Sequence, residues 1–143
     1  MLQLKQLLTK KGFGAVTVPA SASVGVAIRT MHEHGVGSVL VPGSDGLPAG
    51  ILTERDIIRL YAEGRADFEN LRVADCMTTN PTVASPTDKV TEILGVMTTK
   101  RFRHVPVVDG GQIVGLVSIG DLVKAKLDQA TQEAEALRTY ITS

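Results

Sequence analysis

Aromatic side chains are scarce in this 143-residue chain, which has no tryptophan, two tyrosines and three phenylalanines. Stacking of bases on aromatic platforms, the usual grip on single-stranded nucleic acid, has little to work with here. Cysteine is scarcer still. Cys76 stands alone, which excludes an intramolecular disulfide and gives no sign of an oxidising compartment. With no Cys or His at ligand spacing beside it, it reads as a small core or linker residue. Net charge is absent too, since 15 Lys and Arg balance 15 Asp and Glu. Nucleic acid and anionic membranes therefore exert no global attraction, and charge-based recognition has to be local. No stretch approaches the roughly 18 apolar residues of a spanning helix. The first eleven residues lack the apolar run of a signal peptide, so the cytoplasm is the expected compartment. Catalytic signatures are missing as well: there is no Gly-x-x-x-x-Gly-Lys-[Ser/Thr] loop, no Cys/His metal cluster, and no Ser-His-Asp or Cys-His set.

What the chain does have is an internal repeat. Gly50-Ile51-Leu52-Thr53-Glu54-Arg55-Asp56-Ile57-Ile58 returns as Gly115-Leu116-Val117-Ser118-Ile119-Gly120-Asp121-Leu122-Val123, at a shift of 65 (118 − 53 and 121 − 56). Upstream, Val24, Ala27, Ile28 and Met31 form a helical stripe that Val90, Ile93, Leu94 and Met97 reproduce at a shift of 66 (90 − 24). Ser21, Ser23, Thr87 and Asp88 are the expected N-caps of these two helices. Each helix leads to a β-rich run, Ser38-Val39-Leu40-Val41 or His104-Val105-Pro106-Val107-Val108. A turn with Asp45-Gly46 or Asp109-Gly110-Gly111 follows, then a second strand and a second helix. With a short extended piece before each unit, Ala15-Val16-Thr17-Val18 or Pro81-Thr82-Val83, the pattern is β-α-β-β-α twice over. Gly12-Phe13-Gly14 and Gly35-Val36-Gly37 are too short for dinucleotide fingerprints and serve turns or close packing.

The division is residues 1–12 as an N-terminal helical flank, 13–62 as the first repeat, 63–77 as a linker with a short helix, 78–128 as the second repeat, and 129–143 as a C-terminal helical extension. Neither half is large enough to be very stable alone. In the last helix Val123, Leu127, Ala130, Ala134, Leu137 and Ile141 alternate in steps of four and three. That seam suits either a partner chain or packing on its own module.

The doubled β-α-β-β-α unit, the doubled Gly-x-x-[Ser/Thr]-x-x-Asp and the run Arg103-His104-Val105-Pro106-Val107-Val108-Asp109 resemble a tandem pair of cystathionine-β-synthase (CBS) domains, the Bateman module, over residues 10–130. The resemblance implies an α+β fold with two repeats related by a pseudo-two-fold axis and two clefts for adenosine-containing ligands. It also implies a homodimer, an unknown regulated protein as partner, no nucleic acid or membrane partner and no resident cofactor, with Mg admitted only alongside a triphosphate. By resemblance Asp56 and Asp121 hold ribose and Thr53 and Ser118 face phosphate. The base lies between Val16 and Val18 or Thr82 and Val83 on one side, and Gly37 and Val39 or His104, Val105 and Pro106 on the other. Arg55, Arg103 and His104 are candidates for the phosphates, for which guanidinium forks are well suited. The family often has His before Arg at this point, whereas this chain has Arg103-His104.

Competing readings accompany each feature. A single [Ser/Thr]-x-x-Asp is also a capping-box variant, with Thr53 or Ser118 capping a helix and Asp56 or Asp121 complementing its positive end. Two copies placed identically in a full repeat favour a ligand. Lys100-Arg101-Phe102-Arg103-His104 is dense in cations, but Lys100 and Arg101 fall where a helix C-terminus attracts them. His32 and His34, two apart on a helix, do not share a face for metal. Three functions remain: a non-enzymatic sensor of AMP, ADP, ATP or NAD(H), a small nucleotide-acting enzyme, and a ligand-free dimerisation scaffold. Aspartates ionised beside helix N-termini are poor general bases near neutral pH, which weighs against the enzyme.

Overall fold

The structure, a computed structural model, describes residues 1–12 and 14–142, so Phe13 of the Gly12-Phe13-Gly14 turn lies outside it. In chain order the elements are α1 (Leu4–Lys11), α2 (Val24–His34), β1 (Ser38–Pro42), β2 (Pro48–Thr53), α3 (Glu54–Ala62), α4 (Val73–Cys76), β3 (Thr78–Thr79), α5 (Val90–Lys100), β4 (His104–Asp109), β5 (Gln112–Ser118) and α6 (Ile119–Thr142). The two α+β repeats are there as expected, each with an antiparallel hairpin, β1–β2 or β4–β5. The extended pieces ahead of each repeat make single parallel bridges, Thr17 to Leu40 and Ala84 to Val107.

The helical stripes bury as their spacing demands. Val24, Ala27 and Met31 join Val39, Val41, Leu52 and Leu60 in the core of the first repeat. Val90, Ile93 and Met97 join Val105, Val107, Val117 and Leu122 in the core of the second. A third cluster, Leu40, Ile51 and Leu116, joins the two repeats.

The caps are only half as expected. Ser23 accepts from the Val26 amide at 3.1 Å. At α5 neither Thr87 nor Asp88 caps; Asp88 instead accepts from the Ser85 amide at 2.8 Å, and the Val90 amide is satisfied by the Leu2 carbonyl at 3.0 Å. The N-terminal flank thus does a capping residue's work for the other end of the chain.

That contact is part of a reciprocal exchange of arms. The segment before the first repeat packs on the second: Leu4, Leu7 and Leu8 of α1 are buried in its core, and the Gly14 amide donates to the Val114 carbonyl at 2.8 Å. The segment before the second repeat packs on the first: Val73 and Cys76 of α4 lie in its core, and β3 pairs with β2 through Gly50 and Ile51. Residues 78 and 79, expected to open the second repeat, are therefore a third strand of the first sheet. An eight-residue helix has almost no stability of its own. Each fully buried leucine contributes roughly 1.5–3 kcal/mol, so α1 is held by its docking.

The motif glycines receive the arms. A Cβ at Gly50 would collide with the Met77 side chain, and one at Gly115 with Leu8. Met77 is half-buried and unbranched, whereas Leu8 is fully buried, so the two sites differ in how far the neighbour can yield. Gly115→Ala is expected to lose about 1–3 kcal/mol in urea unfolding, and Gly50→Ala distinctly less. Equal losses would contradict this packing.

Candidate functional site

Two clefts open between the repeats, and each draws on both. Cleft A, about 1090 Å³, is lined by Val16, Thr17, Gly35 and Gly37 of the first repeat, by Ser118 and Asp121 of the second, and by Lys11. Cleft B, about 590 Å³, is lined by Thr53, Arg55 and Asp56 of the first repeat, by Thr82, Arg101, Arg103 and His104 of the second, and by Asn80. Glu54, Arg103 and His104 border both.

The repeated motif forms a reciprocal cap at both helices. Thr53 accepts from the Asp56 amide at 3.2 Å while Asp56 Oδ2 accepts from the Thr53 amide at 2.9 Å and from its hydroxyl at 3.1 Å. Ser118 and Asp121 repeat this at 3.1 and 2.8 Å. The capping reading of the sequence is therefore physically realised, and the same residues also line the clefts. In each carboxylate Oδ2 is the oxygen committed to the cap. Asp56 Oδ1 lies 3.3 Å from Arg59 Nη1, and its side chain is 11% exposed.

Asp121 meets a partner that has no sequence signal. Lys11 Nζ, at the end of α1, donates to Asp121 Oδ2 at 2.6 Å and to the Leu116 carbonyl at 2.7 Å. Burial alone would push the Asp121 carboxyl up. Hydrogen bonds from Lys11 and the Ser118 amide, with the Lys11 charge, outweigh it and hold the group below its ordinary value. Burial lowers the His104 pKa below its ordinary value, against the pull of Glu54 and Asp121.

The remaining expected residues divide. Val16 and Gly37 line cleft A and Thr82 cleft B. Val18, Val39 and Val105 are core residues, Pro106 is buried behind the wall, and Val83 is exposed; none of these five lines either cleft. Gly37 has a steric reason: a Cβ there would stand 2.9 Å from Glu54 Oε1. Lys11, Glu54, Asn80 and Arg101 are cleft residues absent from the expected set. Arg101 alone carried a readable signal, for it stands where the first repeat has Gly35. His32 and His34 are exposed, and no metal-holding group of three or more His, Cys, Asp or Glu occurs among the described residues. Among those residues, too, no helix is long and apolar enough to cross a membrane.

Pro106 also breaks the symmetry of the walls. In the first repeat the Leu40 amide donates to the Val16 carbonyl and Leu40 accepts from the Val18 amide, both at 3.0 Å. Pro106, the counterpart of Leu40, has no N–H to give. The Ala84 amide still donates to the Pro106 carbonyl at 2.9 Å, as Val18 does to Leu40, and Ala84 accepts from Val108 at 2.8 Å. The Thr82 carbonyl at cleft B consequently lacks the strand bond that occupies Val16 at cleft A.

Removing the Lys11 ammonium tests the electrostatics of cleft A. In Lys11→Met the Asp121 carboxyl is expected to titrate at higher pH than in the wild type, read by carboxyl-detected NMR. A depressed folded value stabilises above the unfolded value and stops doing so as pH falls through the folded one. The variant should therefore lose less stability on acidification; an unmoved Asp121 midpoint would rule out the ion pair.

A family model described as "CBS domain" matches residues 5–63 and 73–128. The mitochondrial CBS domain-containing protein CBSX3 of Arabidopsis thaliana is 37% identical over 80% of the chain, which spans 58% of that protein's length. The crystal structure of a CBS-domain containing protein from Agrobacterium tumefaciens has 40% identity and a TM-score of 0.81, covering 87% of this chain and 98% of that one. A CBS domain protein from Pyrobaculum aerophilum, complexed with AMP, has 25% identity and a TM-score of 0.73 over 84% of this chain and 89% of its own. With two matched copies, the repeated fold and relatives of this similarity, the chain belongs to the CBS domain family as a tandem pair.

Proposed function

We propose that this protein senses an adenosine nucleotide, AMP, ADP, ATP or NAD(H), in the clefts between its repeats and signals by a change of shape or partner contact. The observation that carries this reading is the crossed construction of each cleft. A [Ser/Thr]-x-x-Asp helix start comes from one repeat and an extended segment from the other. A helix N-terminus favours phosphate through its dipole, here with the Arg55 or Gly120 amide as the first-turn donor that neither the cap nor the neighbouring strand occupies, and the aspartates offer carboxylate oxygen to ribose hydroxyls. The Thr82 carbonyl is available to a base edge in cleft B. The relative complexed with AMP supports adenosine as the nucleoside. Mg is expected only with a triphosphate, and the cytoplasm is the proposed compartment. A ligand that bridges both repeats signals only by fitting one arrangement of them better than another.

A thermal-shift panel of AMP, ADP, ATP, NAD, NADH, GTP and S-adenosylmethionine tests the reading. At about 100 times its dissociation constant, the cognate ligand adds roughly 2.7 kcal/mol. Asp56→Ala or Asp121→Ala should abolish the response of the cleft it serves. No shift with any ligand favours a scaffold, and unchanged shifts in both variants reject the sites.

The homodimer implied by the family has a candidate contact in α6. This 24-residue helix reaches about 36 Å, and Leu127, Leu137 and Ile141 are 64, 60 and 72% exposed. In a parallel pair Glu133 and Arg138 fall at flanking positions that bring opposite charges together. Leu127→Glu with Leu137→Glu is expected to turn the dimer into a monomer in sedimentation analysis without lowering the melting temperature of the body. A dimer that survives places the interface elsewhere.

A further inference from the structure

Two described residues other than glycine have left-handed backbone, Asn80 (φ 47°) and Arg101 (φ 60°), and both line cleft B. Asparagine tolerates this region, but arginine has no local interaction that makes it favourable. The first repeat shows what the turn itself requires. At the equivalent end of α2 the same conformation, φ 62° and ψ 36°, is taken by Gly35, against φ 60° and ψ 41° at Arg101 after α5. Glycine thus suffices for the geometry at cleft A, whereas cleft B holds a long cation in a conformation that opposes it. Strain retained beside a cleft points to function.

The surroundings say what the cation meets. Arg55 and Arg103 line the same cleft, Arg103 at the border shared with cleft A, so three arginines from two repeats surround one space. The carboxylates there are Glu54 and Asp56, the latter committed to its cap through Oδ2. Cleft A has Gly35 in place of Arg101 and Gly120 in place of Arg55, shares only the bordering Arg103, and its Lys11 is already paired with Asp121. Three guanidinium groups exceed what a monophosphate beside Thr53 can use, and they match the extra charge of a longer phosphate chain.

We infer that Arg101 is a specificity-determining residue of cleft B that binds the phosphates beyond the first, so that this cleft selects a nucleoside di- or triphosphate over a monophosphate. The inference rests on the nucleotide-sensing reading above and deepens it.

Arg101→Gly and Arg101→Lys, made in the full chain, test it by calorimetric titration with ATP, AMP and inorganic tripolyphosphate. In Arg101→Gly the unliganded protein should melt higher, because the backbone strain is gone. ATP should bind roughly tenfold weaker while AMP changes by less than about threefold. Arg101→Lys keeps the charge and the strain, and should lose less ATP affinity than Arg101→Gly without gaining stability. Equal weakening of AMP and ATP, or ATP binding untouched in Arg101→Gly, overturns the assignment. Tripolyphosphate bound in an Arg101-dependent way without any nucleotide defeats the adenosine reading alone and upholds Arg101. Wild type that binds none of the three defeats both.

Discussion

The close approach of an arm side chain to a glycine in the opposite repeat organises this protein. Met77 over Gly50 and Leu8 over Gly115 need backbone without a Cβ beneath them, and each contact brings a segment across from the neighbouring repeat. Once α1 lies on the second repeat and α4 with β3 on the first, the extended segments that follow must run between the two sheets. Those segments wall the clefts. The glycine that opens each Gly-x-x-[Ser/Thr]-x-x-Asp therefore serves packing, while the hydroxyl and carboxylate of the same motif start the helix and line a cleft.

A near-symmetric frame makes small departures informative. Proline for leucine at position 106 removes one amide and leaves the Thr82 carbonyl without its strand bond. A lysine at the end of α1 occupies one oxygen of Asp121, while Asp56 has Arg59 at a longer distance. Each difference changes what a cleft offers without altering the fold, since the cores beneath are built from the same stripe positions.

Much of this was legible in the sequence. The stripes from Val24 to Met31 and from Val90 to Met97, the hairpins and the doubled motif follow from local periodicity, and local periodicity is what a helix face or a strand pair responds to. The reciprocal cap of Thr53 and Asp56 was also readable, being a contact three residues apart. The arms were not. Lys11 and Asp121 are 110 positions apart, and nothing in an eight-residue amphipathic helix says which core it enters. The family resemblance places Val18, Val39 and Val105 at the base because it names whole extended segments, whereas alternate positions of a strand face opposite ways and these three lie in the cores. Thr87 and Asp88 looked like caps by residue type; the Leu2 carbonyl, invisible to any local rule, had taken the position.

The exchange of arms also bears on how such a chain arises. Each repeat in isolation lacks the arm that completes its core and carries one that fits only elsewhere. A lone unit obeying the same contacts would complete itself by trading arms with an identical copy. Joining the two halves in one chain leaves every such contact in place while letting each half differ, so that an arginine can stand on one side where a glycine stands on the other.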